Sequence, residues 1–522
     1  MHLHGPCLND DILREILSYV RSGSAALMRT SKFFNSEAVK CALREPIYLR
    51  GSGDLDKFLR FLEPRDPTCC RHIRDLRLGF GDARPDLMDN LTQRLVHMSS
   101  LETVALDFGE EFLDCFPEFG NALATLTTLR HLTISYVGEL TSDLLQTMQP
   151  GLVSLDLGWL GYDEGFFQGE LPYEKWSEYH PVPFLAKWSS TLEKLSCNMW
   201  YTRQDVTPFN HVYPNLRQLS IDRDEFPLIA PYVCAFPNLT TLHVETDHGE
   251  DIDDDDAAER LYEHHALNVR SQQEGGKAGT TWQYLQEYTG GLVDLYVLGL
   301  TCRIPHLFFH SVIDERHYDM LSIILSYAQP VRLNITRVRD PFLTDPTRGL
   351  AAILQDSGAS ALESLVVVFE LSKASREVDV AAALVSHPSL PVHVNALFMG
   401  APLQDTLAQS LKRLPLRHLR LRISDYGLNP TPPPPSAMDI MLAKQGGEPP
   451  PKPHPPMPFT PAEVSLQSFD VEEFTKGLGD AIPSLCDAIV KVSAPRSGHR
   501  TASIKRGTTC EEFDSHDSMW EA

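Results

Sequence analysis

The chain has 522 residues, and its 70 acidic against 46 basic side chains give a formal net charge of −24. Hydrophobic residues make up 42% of the chain and charged residues 22%, a composition typical of folded globular proteins. The acidic balance argues against a nucleic-acid binder or a protein of anionic membrane surfaces, because phosphate recognition needs a basic face. The sequence therefore predicts neither a nucleic-acid nor a membrane partner.

The cysteines and the N-terminus indicate the compartment. The ten cysteines are scattered and include no C-x-x-C pair, so we expect reduced thiols that pack as small apolar side chains. The N-terminal residues lack the basic start and apolar run of a signal peptide. We therefore expect an intracellular protein of the cytoplasm, the nucleus or both, and not a secreted one.

The first elements predicted along the chain are three short amphipathic helices within residues 8–50. Asn9 or Asp10 can cap the first of them, and an apolar stripe follows at helical spacing. About forty residues in three short helices make a poor core by themselves, so the module must dock on the neighbouring residues or on a partner. Its apolar positions include Leu8, Ile12, Leu13, Ile16, Leu17, Val20, Leu27, Phe33 and Phe34.

A short phrase of the form L-x-x-L-x-L recurs along the rest of the chain. Its first starts, at 73, 101, 129 and 152, are 28, 28 and 23 residues apart, within the spacing of leucine-rich repeats. The last two apolar positions alternate with polar ones, which predicts a short strand with one buried face. The phrases are IRDLRL at 73, LETVAL at 101, LRHLTI at 129, LVSLDL at 152, LEKLSC at 192, LRQLSI at 216, LTTLHV at 239, LVDLYV at 292, LESLVV at 362 and LRHLRL at 416, with weaker candidates around Leu333-Ile335 and Val392-Val394.

Helical patterns lie between the phrases. Residues 86–98 place Leu87, Leu91, Leu95 and Met98 on one helical face. Strand and helix in alternation predict an α/β solenoid, a leucine-rich-repeat horseshoe with degenerate repeats, behind a small all-α N-terminal module. We predict a helical module over residues 5–50, a solenoid over 51–428 with insertions at 160–185 and 247–290, a Pro-rich loop or linker over 429–461, the C-terminal part of the solenoid over 462–493 and a disordered tail over 494–522.

The first insertion is rich in aromatic residues. Tyrosine and tryptophan supply large contact areas and are enriched in interface hot spots, so this insertion is a candidate target-binding surface. The alternative is that the loop packs on the solenoid itself. Its candidate residues are Phe166, Phe167, Tyr173, Trp176 and Tyr179.

No catalytic or metal-binding motif emerges from the sequence. The run Asp251-x-Asp253-x-Asp255 begins like a calcium loop, but Asp256 stands where that loop needs glycine and Tyr262 where it needs glutamate. We interpret His264-His265 as surface histidines. Neither a P-loop nor a G-x-S-x-G or H-E-x-x-H motif occurs, so we predict a protein that is not an enzyme and that carries no cofactor or metal.

Residues 8–50 resemble an F-box. The family pattern opens on Leu-Pro-x-Glu-Ile-Leu, continues through a Ser-Lys-x-Phe phrase and ends near an apolar stretch, here matched at residues 8–20, 31–34 and 47–49. Asn9 replaces the proline of the pattern and Asp11 its glutamate. With the repeats behind it, the chain resembles fungal F-box proteins with C-terminal leucine-rich repeats.

This resemblance implies a substrate-recognition subunit of an SCF-type ubiquitin ligase, in which the repeats hold a target protein. The F-box would bind a Skp-family adaptor and, through it, a cullin. An alternative is a repeat scaffold that binds proteins without a ubiquitin-ligase role, its N-terminal helices acting as a cap. The adaptor-binding residues implied are Leu8, Ile12, Leu13, Ile16, Leu17, Leu27 and Phe33.

Overall fold

Two compact units make up the chain. One comprises Met1–Asp224 and Cys234–Leu239, and the other comprises Glu225–Val233 and Thr240–Ala522. The computed structural model describes Glu15 and residues 32–149, 151–159, 179–198, 210–222, 227–245, 255–274, 281–313, 315–339, 348–371, 410–424, 458–494 and 498–506.

The first unit is built on a parallel sheet in which each strand pairs with the next in chain order. The phrase leucines are in register, so that Leu132 pairs with Leu155 and Leu155 with Leu195. All three are buried, as the alternation predicts. The strands are β1 (Ile47–Leu49), β2 (Asp75–Leu78), β3 (Thr103–Leu106), β4 (His131–Val137), β5 (Ser154–Trp159), β6 (Lys194–Asn198) and β7 (Gln218–Asp222).

Helices connect the strands of this unit. The helix predicted from residue 86 spans Pro85–Leu95 and buries Leu87, Leu91 and Leu95, which confirms the helical pattern. Proline at its first turn costs nothing there, because that amide has no intrahelical acceptor. The helices are α1 (Lys32–Arg44), α2 (Ser52–Leu62), α3 (Pro85–Leu95), α4 (Gly109–Cys115), α5 (Pro117–Ala124), α6 (Glu139–Thr147) and α7 (Pro181–Phe184), with 3-10 turns at Pro67–His72 and Ala186–Trp188.

The second unit repeats this plan. Its strands are β8 (Thr241–Glu245), β9 (Glu287–Gly290), β10 (His306–Phe309), β11 (Arg332–Arg339), β12 (Ser364–Glu370), β13 (His418–Ser424), β14 (Asp487–Ala494) and β15 (Gly498–Lys505), parallel from β8 to β14. The helix α8 (Ile229–Ala235) is divided between the two units. The others are α9 (Asp255–Glu274), α10 (Leu292–Leu298), α11 (Tyr318–Ala328), α12 (Leu350–Ile353), α13 (Pro461–Ser468) and α14 (Val471–Ala481), with 3-10 turns at Glu315–His317 and Ser357–Ala359.

Each unit is therefore an α/β, solenoid-like stack with a predominantly parallel sheet. Side chains at alternate strand positions fill the core, and the positions between them lie on the opposite face of the sheet. The weaker candidate around Leu333-Ile335 lies in β11 and both residues are buried. The candidate at Val392-Val394 lies outside the described residues.

One predicted strand is wrong. The phrase LVDLYV forms the helix α10, and the strand β9 lies just before it. The backbone N–H of Gly291 donates to Asp294 Oδ2 at 3.1 Å, so the aspartate of the phrase caps a helix start. The predicted insertion 247–290 contains the helix α9 and the strand β9.

The predicted disordered tail is also wrong in part, because residues 498–505 form β15, antiparallel to β14. Its side chains are exposed or half-buried, so it lacks the apolar signal of a buried strand. Backbone pairing and the Arg500 guanidinium order it instead. That guanidinium donates to the carbonyl of Phe469 at 2.7 Å and to that of Leu466.

The predicted surface position of His264 and His265 is wrong. His264 is buried in α9, with Nε2 3.1 Å from the carbonyl oxygen of Pro227. His265 is half-buried and places Nδ1 2.6 Å from the carbonyl oxygen of Tyr296, with the two rings stacked at 4.0 Å. Burial lowers the pKa of both imidazoles, so both serve as packed neutral rings.

A buried histidine makes the stability of the first unit depend on pH. His180 Nδ1 accepts the Val182 N–H at 3.2 Å at the start of α7, and desolvation lowers the pKa of His180 to about 3. The folded imidazole thus stays neutral while the unfolded one protonates near its ordinary pKa of about 6.5. The contribution of the neutral His180 to the free energy of unfolding is present above pH 6.5 and is lost as the pH falls from there towards 3.

We expect the free energy of unfolding to fall by about 2 kcal/mol between pH 7 and pH 5 on account of His180 alone. Urea unfolding at pH 7, 6 and 5 measures it, and His180→Gln should show a flatter pH dependence. His131 lies exposed in β4, so His131→Gln is the matched control. Equal pH dependence in His180→Gln and the wild type would contradict this account.

Candidate functional site

The predicted adaptor-binding residues fall almost entirely outside the described part of the chain. This holds for Leu8, Ile12, Leu13, Ile16, Leu17 and Leu27. Phe33 lies in α1, but its side chain belongs to the part that the structure does not describe. The adaptor surface therefore stays a prediction.

The C-terminal part of α1 and the strand β1 belong to the first unit. Ala38, Val39 and Leu43 are buried, and α1 packs on the 3-10 turn Pro67–His72. The strand β1 pairs in parallel with β2. The last residues of the predicted 5–50 module thus form the first strand of the sheet.

Of the five predicted target-binding residues in the first insertion, the structure describes one. Phe166, Phe167, Tyr173 and Trp176 lie outside the described residues. Tyr179 is half-buried, with its ring edge-on to Trp159 at 5.8 Å and tilted against Phe184 at 5.9 Å. At this residue the insertion packs on its own unit, as the alternative interpretation expects.

The face of the sheet opposite the core is a candidate binding surface in each unit. In the first unit it is of mixed charge, and one of its rows reads Asp75, Thr103, His131, Ser154, Lys194 and Gln218. Tyr48 stands on this face at 54% exposure, with the Arg77 guanidinium 4.9 Å above its ring. In repeat proteins, extended faces of this kind are used as binding surfaces.

The same face of the second unit is polar and partly buried. Arg420 Nη2 donates to Asp487 Oδ2 at 2.5 Å, and the two residues are only 5% and 8% exposed. Burial lowers the pKa of the adjacent His418 imidazole. Asp487 opposes that shift, whereas Arg417, Arg420 and Arg332 add to it. The C-terminal strands therefore concentrate basic side chains on an otherwise acidic protein.

A pair of exposed aromatic rings lies at the ends of β3 and β4. Phe108 and Tyr136 stack with centroids 5.4 Å apart and planes 11° from parallel. They are 37% and 49% exposed. We call this pair the aromatic platform.

Sequence reasoning missed the aromatic platform, although a signal for it exists. Its two residues are 28 apart, which is the spacing of the phrases at 101 and 129. Aromatic side chains at the same offset in successive repeats can stack, because adjacent parallel strands are about 4.8 Å apart. Phe80 has the same offset in the preceding repeat, but it is buried and packs near Phe112.

The described residues contain no group of three His, Cys, Asp or Glu side chains placed to hold a metal ion. Among their helices, none has the length and apolar character that crossing a bilayer requires.

No protein-family model matches the chain, and a search of curated proteins finds no match either.

Proposed function

We propose that this chain is the substrate-recognition subunit of an SCF-type ubiquitin ligase. The observation that carries the proposal is the pairing of an F-box-like sequence at residues 8–50 with a solenoid-like stack of parallel strands behind it. In such a protein the leucine-rich-repeat solenoid binds the target, and the F-box binds a Skp-family adaptor and through it a cullin. These finer identities derive from the sequence resemblance.

The adaptor would dock on the apolar stripe of the first predicted helix. Leu8, Ile12 and Ile16 lie on one face at helical spacing. Each buried aliphatic side chain contributes about 1.5–3 kcal/mol, so a few of them suffice for a stable complex. A charge placed in that stripe would have to be buried without a partner.

The proposed mechanism is proximity. The receptor holds a target near a ubiquitin-charged enzyme, which raises the effective concentration of the target's lysines. This function requires binding surfaces, and the proposal assigns no reaction step to the chain's own side chains.

The test is co-purification of the adaptor. We expect Ile12→Asp combined with Ile16→Asp to abolish it, while the circular dichroism of the two units is kept. Arg14→Asp combined with Ser18→Asp places carboxylates on the polar side of the same predicted helix and is the control. Adaptor recovery from the Ile12/Ile16 variant at wild-type level would contradict the proposal.

A second candidate is a protein-binding scaffold whose N-terminal helices only cap the first repeat. The burial of Val39 and Leu43 in α1 and the pairing of β1 with β2 favour it, because they tie this segment to the first unit. A chain lacking residues 1–31 retains α1 and β1. As a receptor it should stay monodisperse and lose the adaptor, whereas as a capped scaffold it should aggregate.

A further inference from the structure

The backbone at Tyr136 places a large aromatic side chain in solvent. Ile134 is buried in β4, and strict alternation would bury Tyr136 and expose Val137. The pairing of β4 with β5 shifts register between Ser135 and Val137. As a result Val137 is fully buried and Tyr136 is exposed, which is how a β-bulge redirects a side chain.

This redirection requires a strained backbone. Tyr136 has a φ of 58°, a left-handed conformation that bulky residues rarely adopt. Gln329, which also has a positive φ, ends the helix α11, a position where that conformation is common. Tyr136 instead lies within a strand, and its strain does not serve to bury the ring, since the side chain remains exposed.

The aromatic platform has a further apolar neighbour. Leu140, at the start of α6, is 40% exposed. Its backbone N–H donates to Glu110 Oε1 at 2.8 Å, which joins the start of α6 to the first turn of α4, the helix that begins directly after Phe108. Three large exposed apolar side chains thus lie at one end of strands β3 and β4, as in the hot spot of a binding surface.

The aromatic platform lies in an acidic segment of the chain, and this charge indicates the kind of partner that it would bind. The described residues from 95 to 159 contain nine Asp or Glu and one Arg, so they carry a third of the net charge of the chain. That Arg130 donates to the carbonyl of Gly151 at 2.8 Å. Asp107, which precedes Phe108, and Glu139, which precedes Leu140, are both exposed. The faces of aromatic rings attract cations, and the surrounding carboxylates strengthen that attraction.

We propose that the aromatic platform binds a basic segment of the target protein, with an Arg or Lys side chain stacked on an exposed ring face. This inference rests on the target-binding role proposed above and specifies its chemistry. A short segment fits better than an extended polycation, since the aromatic surface covers only two strands, about 5 Å apart.

The test uses the full chain and a fluorescent hexapeptide of alternating arginine and glycine, measured by anisotropy at low salt. We expect Tyr136→Asn and Phe108→Ala each to weaken binding about tenfold. Tyr284 is 57% exposed in the second unit, and Tyr284→Ala should leave the affinity unchanged. A peptide with citrulline for arginine keeps the planar group without the charge, and it should bind at least tenfold more weakly.

Thermal unfolding distinguishes a variant that binds the peptide weakly from one that has lost its folded structure. Asparagine tolerates a positive φ, so Tyr136→Asn should melt no lower than the wild type while it binds the peptide more weakly. Equal peptide affinity in Tyr136→Asn and the wild type, equal affinity for the citrulline peptide, or no binding by the wild type would each overturn the inference. Adaptor co-purification from the same variants reads out the receptor role separately, since the platform variants leave residues 8–34 intact.

Discussion

Replacing Arg420 with methionine is expected to lower the free energy of unfolding of the second unit by about 3–5 kcal/mol. The Arg420 guanidinium donates to Asp487 Oδ2 at 2.5 Å. Both residues are buried, and they lie on the neighbouring strands β13 and β14. Methionine keeps much of the side-chain volume but leaves the Asp487 carboxylate in a poorly solvated place without its cation. That uncompensated charge accounts for the expected loss.

Urea unfolding at pH 7 measures this loss of stability. Two further variants test whether the loss comes from the unpaired charge. Arg339 is exposed on β11, so Arg339→Met should change stability by no more than about 0.5 kcal/mol. Arg420→Met combined with Asp487→Leu removes both charges and should recover much of the loss. If Arg420→Met proved as stable as Arg339→Met, the ion pair would not be a buried one in solution.

The second large effect is expected from truncation of a core leucine of the repeat phrase, which should destabilise the first unit. Leu155 is fully buried in β5 and pairs in register with Leu132 and Leu195. Leu155→Ala leaves a cavity among ordered neighbours, and we expect it to lower the free energy of unfolding of the first unit by about 2–5 kcal/mol.

The neighbouring position supplies the control. Ser154 precedes Leu155 in β5 and is half-buried on the other face of the sheet. Ser154→Ala should change stability by about 0.5 kcal/mol or less. Chemical denaturation followed by tryptophan fluorescence measures both variants. Similar losses from the two substitutions would contradict the assignment of alternate positions to the core.

Much of the strand framework follows from the leucine phrase alone. The phrases at 129 and 152 lie in β4 and β5, and their leucines are buried as the alternation predicts. The leucine phrase does not form a strand where its local sequence context differs. In LVDLYV the aspartate caps a helix after Gly290-Gly291, and the strand β9 before it has the sequence EYTG, which contains no leucine.

The strand β15 escaped prediction for a different reason. Its residues GHRTASIK alternate between exposed and half-buried positions. An edge strand is held by backbone hydrogen bonds, which a hydrophobic pattern does not record. The order of residues 498–505 therefore emerges only from the ladder to β14.

Part of the candidate binding surface could be predicted from the sequence, and part of it could not. The sequence supplied the acidic charge, the period of 28 residues and the aromatic residues at matching offsets. It singled out residues 166–179 instead, because aromatic residues clustered along the chain are easier to notice than residues one repeat apart. Of these, the one described side chain, Tyr179, packs on Trp159 and Phe184.

By itself the sequence determined that the apolar side chains of the repeat phrases enter the core, because strand alternation and helical spacing are local properties of the chain. The tertiary structure alone decided that Tyr136 is exposed and stacked on Phe108. It also decided that Arg420 is buried against Asp487. Both outcomes depend on the register between strands far apart in sequence, and one shifted residue there exchanges the two faces of a strand.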